Sequence, residues 1–549
     1  MTQASGRIEA NIVAIEARSI QRGALEWRDG VITGRETFGA PDPRLPYLLP
    51  GFVDAHVHIE SSMLVPSEFA RLAVRHGTVA AVSDPHEIAN VLGMDGVRFM
   101  LDNAARTPFH ILFGAPSCVP ATAFETAGAT LDVAAVTRLL DMPGVGYLSE
   151  MMNFPGVLAG DGEVLAKIAA ARARGLPVDG HAPGMRGEEA RRYAAAGIGT
   201  DHECSSLEEA EDKLAAGMHI LIREGSAARN FDALHPLIDH YPERLMFCSD
   251  DKHPDDLAAG HIDQLVARAV AAGHDLFDVL RVACLNPIAY YRLPVGQLRA
   301  GDSFDAALLE NLVDFPVIAT FLGGVKAAER GQTRLASVPV TPANRWHARA
   351  IVPDDLKLLS NGQPVRVIEA RDGELLTRES LARPRCVDGV LLPDPERDLL
   401  LLLVLNRYQA APPALAFIKG FGLKRGALAS SVAHDSHNLV AVGASHEDLM
   451  LAVNSLVAGG GGIAVADAGV VHSLPLPVAG LMSDADGDTV ATRYGELDAL
   501  AHGLGGGLRA PFMTLSFMAL LVIPELKLSD RGLFDGRDFR FVEMRTGAP

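Results

Sequence analysis

The chain has 549 residues, 48% of them hydrophobic and 21% charged, with a formal charge of −19. That length exceeds one core and predicts roughly two to four domains. An acidic surface repels phosphate backbones and anionic lipid, which argues against nucleic acid and membrane partners.

The first residues carry no charged-then-apolar leader pattern. The longest apolar stretches, 399–405 and 511–524, fall short of the ~18 residues a membrane span needs. They read as a buried strand and as a buried helix or strand. Cys118, Cys204, Cys248, Cys284 and Cys386 are odd in number and form no CxxC pair. Neither a disulfide framework nor a zinc ribbon is expected, and the expected location is the cytoplasm.

Residues 7–50 alternate in short runs at 11–15, 24–27 and 31–34, broken by Gly and Pro, and predict small antiparallel strands. The character changes at Leu49-Pro50-Gly51. From there to about residue 290, eight apolar runs lie at 52–57, 79–82, 110–113, 145–148, 178–179, 198–199, 218–222 and 245–248. Helix-forming stretches at 67–76, 131–140, 162–174, 187–196, 206–216 and 262–271 separate most of them. Eightfold strand–helix alternation predicts a (β/α)8 barrel over 51–295, with its site at the C-terminal strand ends. Strand-like runs return over 296–340 and are expected to join residues 1–50 in one small β domain. Residues 341–549 form a third region, with a helix predicted over 447–458 and strands over 400–405 and 463–466. The run Gly459–Gly462 lacks a following Gly-Lys-Ser/Thr, so it reads as a tight turn and not as a phosphate loop.

His56 and His58 carry the strongest chemical signal. Residues two apart on a strand face the same way, and two neutral imidazoles on one face chelate a divalent metal. Glu150, His181, His202 and Asp250 follow runs four, five, six and eight, where a barrel delivers side chains to its site. Four His and two carboxylates suffice for two divalent ions. Glu150 is suited to bridge them, having two oxygens. Water between two metals ionises near neutral pH, and Asp250 is placed to shuttle its proton to a leaving nitrogen. Asp251 is the adjacent alternative for that acid. The chemistry expected is hydrolysis at an electrophilic carbon bonded to nitrogen.

The string PGFVDAHVHIESSM at 50–63 resembles the first strand of the amidohydrolase superfamily. VSDPHEIANVLG at 82–93, EMMNFPGV at 150–157, GHAPG at 180–184, TDHE at 200–203, SDDKHPDDL at 249–257 and SSVAHDSHNL at 430–439 resemble the bacterial adenine deaminases. The resemblance covers nearly the whole chain. It implies a barrel, a small β-sandwich built from both flanks, and an additional C-terminal α+β domain. It also implies a homo-oligomer, a dimer or larger, that converts adenine and water to hypoxanthine and ammonia in purine salvage. Two metals are implied, manganese or iron before zinc. Their ligands would be His56, His58, Glu150, His181, His202 and Asp250. Many relatives that open cyclic amides carry a lysine on strand four, whereas this chain places Glu150 there, which weighs against a hydantoinase or dihydroorotase. The cytidine-type zinc deaminases need a Pro-Cys-x-x-Cys motif, and this chain has none. A catalytically dead relative would have lost ligands or the shuttle, and all are present.

Further residues are expected at the rim. His86 and Glu87 follow run two and suit substrate or a further metal, against a simple loop turn at Asp84-Pro85. Glu60, Ser61 and Ser62 suit ligand orientation or helix capping. Ser117 and Cys118 follow run three and are expected to line the pocket. Arg223, Glu224 and Ser226 follow run seven and are candidates for the purine edge. His434, Asp435, Ser436, His437 and Asn438 form a dense polar cluster in apolar surroundings. This cluster is read either as an interdomain contact or as part of a lid over the barrel mouth.

Overall fold

The computed structural model of the protein describes residues 4–545. Short strands alternate with helices between residues 51 and 295. The strands are β1 (Phe52–Val57), β2 (Thr78–Ser83), β3 (His110–Ala115), β4 (Val145–Met151), β5 (Val178–Gly180), β6 (Thr200–Asp201), β7 (His219–Arg223) and β8 (Leu245–Cys248). β1 to β5 pair side by side in parallel, and β6 to β8 form a second parallel set. Backbone hydrogen bonds cross both gaps. Gly199 N donates to Val178 O at 2.9 Å, and Asp250 N donates to His56 O at 2.9 Å. Parallel neighbours need long crossovers, and helices such as Pro66–Ala73, Gly162–Arg172 and Leu207–Ala215 provide them. The mixed α/β class with parallel strands is as expected.

Two details differ. The sixth strand is Thr200–Asp201 and not 198–199. Ile198 is buried at 2% exposure but precedes the ladder, so its apolar character marks burial and not pairing. Glu150 lies inside β4 and not beyond it, because that strand extends past its apolar run.

The flanking strands hydrogen-bond into a single eight-stranded sheet. Tyr47–Pro50 pairs in parallel with Gly6–Ala14 on one side and antiparallel with Ala306–Leu309 on the other. A sandwich of two separate sheets is not seen among the described residues. Register shifts at Arg22/Gly23, Glu26/Trp27, Leu308/Leu309 and Thr320/Phe321 bend the sheet, since a bulge kinks its strand. It thereby wraps its own core, where Trp27 and Phe304 pack with centroids 4.3 Å apart and planes tilted by 36°.

All eight strands of a second sheet lie within residues 365–475. Its central strand Leu400–Leu405 reads LLLLVL and is buried throughout. A strand covered on both faces needs no polar alternation. Leu401, Leu403 and Leu405 meet Leu449, Val453 and Leu456 of helix His446–Gly459. Leu400, Leu402 and Val404 face a core shared with the parallel strands and helix Pro511–Phe517. Gly460, Gly461 and Gly462 all have positive φ and turn the helix into strand Gly462–Asp467, as the tight-turn reading requires. The stretch 511–524 is a short helix followed by irregular chain. Among the described residues no helix is long and apolar enough to cross a membrane.

Candidate metal centre

β1 aims His56 and His58 into one space, with their Nε2 atoms 3.2 Å apart. His58 Nδ1 donates to Asp84 O at 3.1 Å. That bond fixes the tautomer and leaves the Nε2 lone pair facing inward. Asp250 comes from beyond β8 with a φ of +53°. This strained conformation is held by its N–H on His56 O and by His58 N–H donating to its carbonyl at 3.3 Å. Its Oδ1 lies 3.4 Å from His58 Nε2 and 3.7 Å from His56 Nε2.

The two oxygens of Glu150 face different histidines. Oε1 lies 3.4 Å from His58 Nε2 and 3.5 Å from His86 Nδ1. Oε2 lies 2.9 Å from His181 Nδ1 and 3.1 Å from His202 Nε2. Burial pushes the Glu150 carboxyl up, but His181 and His202 together hold it well below the usual carboxylate range. Several sets here have donor atoms within 4.8 Å of one another. They include His58, Asp84, His86 and Glu150, then His56, His58 and Asp250, then His181, His202 and Glu203. His86 therefore stands beside Glu150, closer in than the rim where the sequence reading put it.

The surrounding residues orient this cluster. Arg223 Nη1 donates to Asp250 Oδ2 at 2.5 Å and to Glu203 Oε1 at 2.5 Å. Its Nη2 donates to Glu203 Oε2 at 2.9 Å. Arg223 lines the chamber with both terminal nitrogens on carboxylates, while its Nε is buried without a partner. Burial pushes Asp250 up, and the Arg223 guanidinium beside it holds it well below the usual range. Ser61 Oγ donates to Asp251 Oδ1 at 2.5 Å. Lys213, fully buried, donates to Ala182 O at 2.7 Å and to Asp201 Oδ1 and Glu209 Oε1 at 2.9 Å each. It thereby ties together the two loops that carry His181 and His202.

The polar cluster of the third region reaches this place. His434 Nδ1 and His437 Nε2 both hydrogen-bond the carboxylate of Glu87. His434 and Asp435 line the chamber together with Glu87, whereas His437 is not part of the lining. Met152, Leu375, Phe517, Leu520 and Val522 give the chamber an apolar roof, and its volume is about 40 Å³. Ser117 stands apart from it. Its Oγ donates to Glu150 O at 2.5 Å, and its outer face lines a neighbouring cavity with Cys118. Asp84, Glu203 and the roof were missed from the sequence. The first two adjoin His86 and His202 closely enough that their motifs, SDPHE and TDHE, carried the signal.

Comparison with known proteins agrees with this architecture. The amidohydrolase family matches residues 47–327, and the adenine deaminase C-terminal domain matches residues 374–540. An adenine deaminase of Salinibacter ruber is 55% identical over 98% of this chain and 99% of its own. One from Sulfurovum sp. is 53% identical over 98% and 99%. One from Methanosarcina mazei is 52% identical over 91% and 92%. The chain belongs to the adenine deaminase family of amidohydrolases.

Proposed function

We propose that the protein deaminates free adenine, yielding hypoxanthine and ammonia with consumption of one water. The observation that carries this, given the family, is Glu150, whose two oxygens address two separate histidine groups inside a largely buried chamber. The residues fit a pair of divalent ions. His56 Nδ1 is buried without a hydrogen-bond partner, His86 Nδ1 and Asp84 Oδ2 pair with each other at 3.1 Å, and the donor set is all imidazole and carboxylate. His56, His58, His181, His202 and Asp250 would hold the ions, with Glu150 between them. Manganese or iron is the proposed occupant, with zinc the lesser choice. When bound, the ions supply Lewis-acid activation of water.

The chain's own residues do the rest. Asp250, kept ionised by Arg223, accepts the proton of the attacking water and passes it to the amino nitrogen leaving C6. Arg223 occupies Asp250 Oδ2 and so leaves Oδ1 turned towards the histidines. His434, Asp435 and Glu87 lie on the third-region side of the chamber, where they serve substrate recognition. The apolar roof excludes bulk water, which strengthens each of these interactions.

The wider reading is a (β/α)8 barrel over 51–295 and a small β domain from 1–50 and 296–340. Residues 341–549 form the lid-bearing C-terminal domain of a cytoplasmic homo-oligomer in purine salvage. Ammonia release from adenine, with metal content assayed on the same sample, tests the proposal. Two metals per chain and turnover lost in Asp250→Asn are expected. A fully metallated protein that leaves adenine untouched sinks the substrate assignment.

A further inference from the structure

The metal chamber is too small for what it is proposed to transform. A space of about 40 Å³ holds water, whereas small-molecule sites run to roughly 300–1,000 Å³. Next to it lies a cavity of about 890 Å³. Met152 and Val522 line both spaces and so form the wall between them. The cavity reaches inward to Ser117 and Val119, each 2% exposed. Outward it reaches exposed Ala123, Thr130 and Phe539, where it meets solvent.

We propose that this cavity is the entrance chamber of the metal site, binding a neutral purine base that then passes between Met152 and Val522. The proposal rests on the adenine reading above. Met152 is an unbranched thioether with three rotatable bonds, suited to swing. Val522 sits in the irregular chain between helix Pro511–Phe517 and strand Leu526–Ser529. The other side of the roof is pinned. Lys527 Nζ donates to Leu375 O at 2.7 Å and to Phe517 O at 3.0 Å. With Leu375 and Phe517 held, the proposed opening lies on the Met152–Val522 side.

Charge selects the occupant. Asp161 and Glu163 stand exposed at the mouth, and both repel phosphate. The cavity's lysine, Lys167, already donates to Ser117 O at 3.1 Å and pairs with Glu163 at 3.3 Å. Among the described residues lining the cavity, no other cation stands ready to receive a nucleotide. Phe154 and Phe539 offer aromatic rings to a flat neutral base.

The test uses the full metal-loaded chain. Ala121→Trp and Val164→Trp each fill the cavity and place a fluorophore in it. With metal content unchanged, kcat/KM for adenine is expected to fall by about tenfold or more. The new tryptophan should be quenched by adenine and not by adenosine monophosphate. Met152→Ala only removes atoms from the wall, and should raise turnover of 6-methylaminopurine relative to adenine. Unchanged kcat/KM at full metal content, or a tryptophan that adenine does not quench, overturns the entrance. So does an unchanged substrate ratio in Met152→Ala, should the tryptophan variants not fold. Wild-type protein that ignores adenine refutes the substrate assignment alone, and quenching then decides the entrance by itself.

Discussion

Lys213 touches no proposed ligand, yet replacing it with Met should cost the site its metals. Its ammonium is fully buried and makes three bonds of 2.7 to 2.9 Å. Removing one partner of a buried ion pair costs about 3–5 kcal/mol, because a carboxylate is left behind in low dielectric. Here both carboxylates keep other donors. Asp201 Oδ2 still accepts from Ala182 N at 2.9 Å, and Glu209 Oε1 from Gly184 N at 2.8 Å. The loss should therefore sit near the lower bound, about 3 kcal/mol. In a chain of this size that is a fall in Tm of about 3 °C. The sharper consequence is local. Lys213 bonds the residue after His181 and the residue before His202, so its loss frees both imidazoles from their aim. Loss of an outer partner of a metal site typically weakens binding about 10–100-fold. Competition against a chromophoric chelator, run beside a thermal scan, measures both. A Lys213→Met protein that melts lower but holds its metals as tightly as wild type would refute the reasoning, making the lysine a fold element only.

Glu87→Gln removes the charge that two histidines of the third region share, and each charge-assisted bond is worth about 1.5–3 kcal/mol. Hydrogen exchange over 433–438 should accelerate, and unchanged protection there would mean that Glu87 does not hold the segment. Lys527 tests the pH dependence. Burial pulls its pKa down to about 7, against about 10.4 in an unfolded chain. Between those values the unfolded state binds more protons, so this residue's contribution to stability rises with pH. The Tm of wild type minus that of Lys527→Met should grow from pH 7 to pH 10, and a flat difference would contradict a neutral buried amine.

Much of the site was legible because its geometry is local. His56 lies on β1 and His58 just past its end, and Glu150, His181, His202 and Asp250 sit at or near strand ends, so spacing alone placed them together. What escaped depends on contacts across space. Arg223 looked like a free hydrogen-bond donor because nothing in the sequence pairs it with Asp250 and Glu203. Lys213 was not singled out, because it stands in a helix rich in acids and only the fold turns it inward against Asp201. The roof draws Met152 from the parallel strands and Leu375, Phe517 and Val522 from far along the chain, and no periodicity connects them. The flanking strands were recognised as strands, but only the bulges reveal that they make one curled sheet.

The first sheet also sets a timetable. Tyr47–Pro50 must pair with Ala306–Leu309, which leaves the ribosome 256 residues later than Pro50. At about 5–20 residues per second, that delay is roughly 10–50 s. Throughout it, the nascent N-terminal hairpin carries an open edge with unpaired N–H and C=O groups, a template for pairing with the wrong chain. The sheet begun first during synthesis can thus be finished only after every parallel strand has been made, and that interval is when the protein has most need of a chaperone.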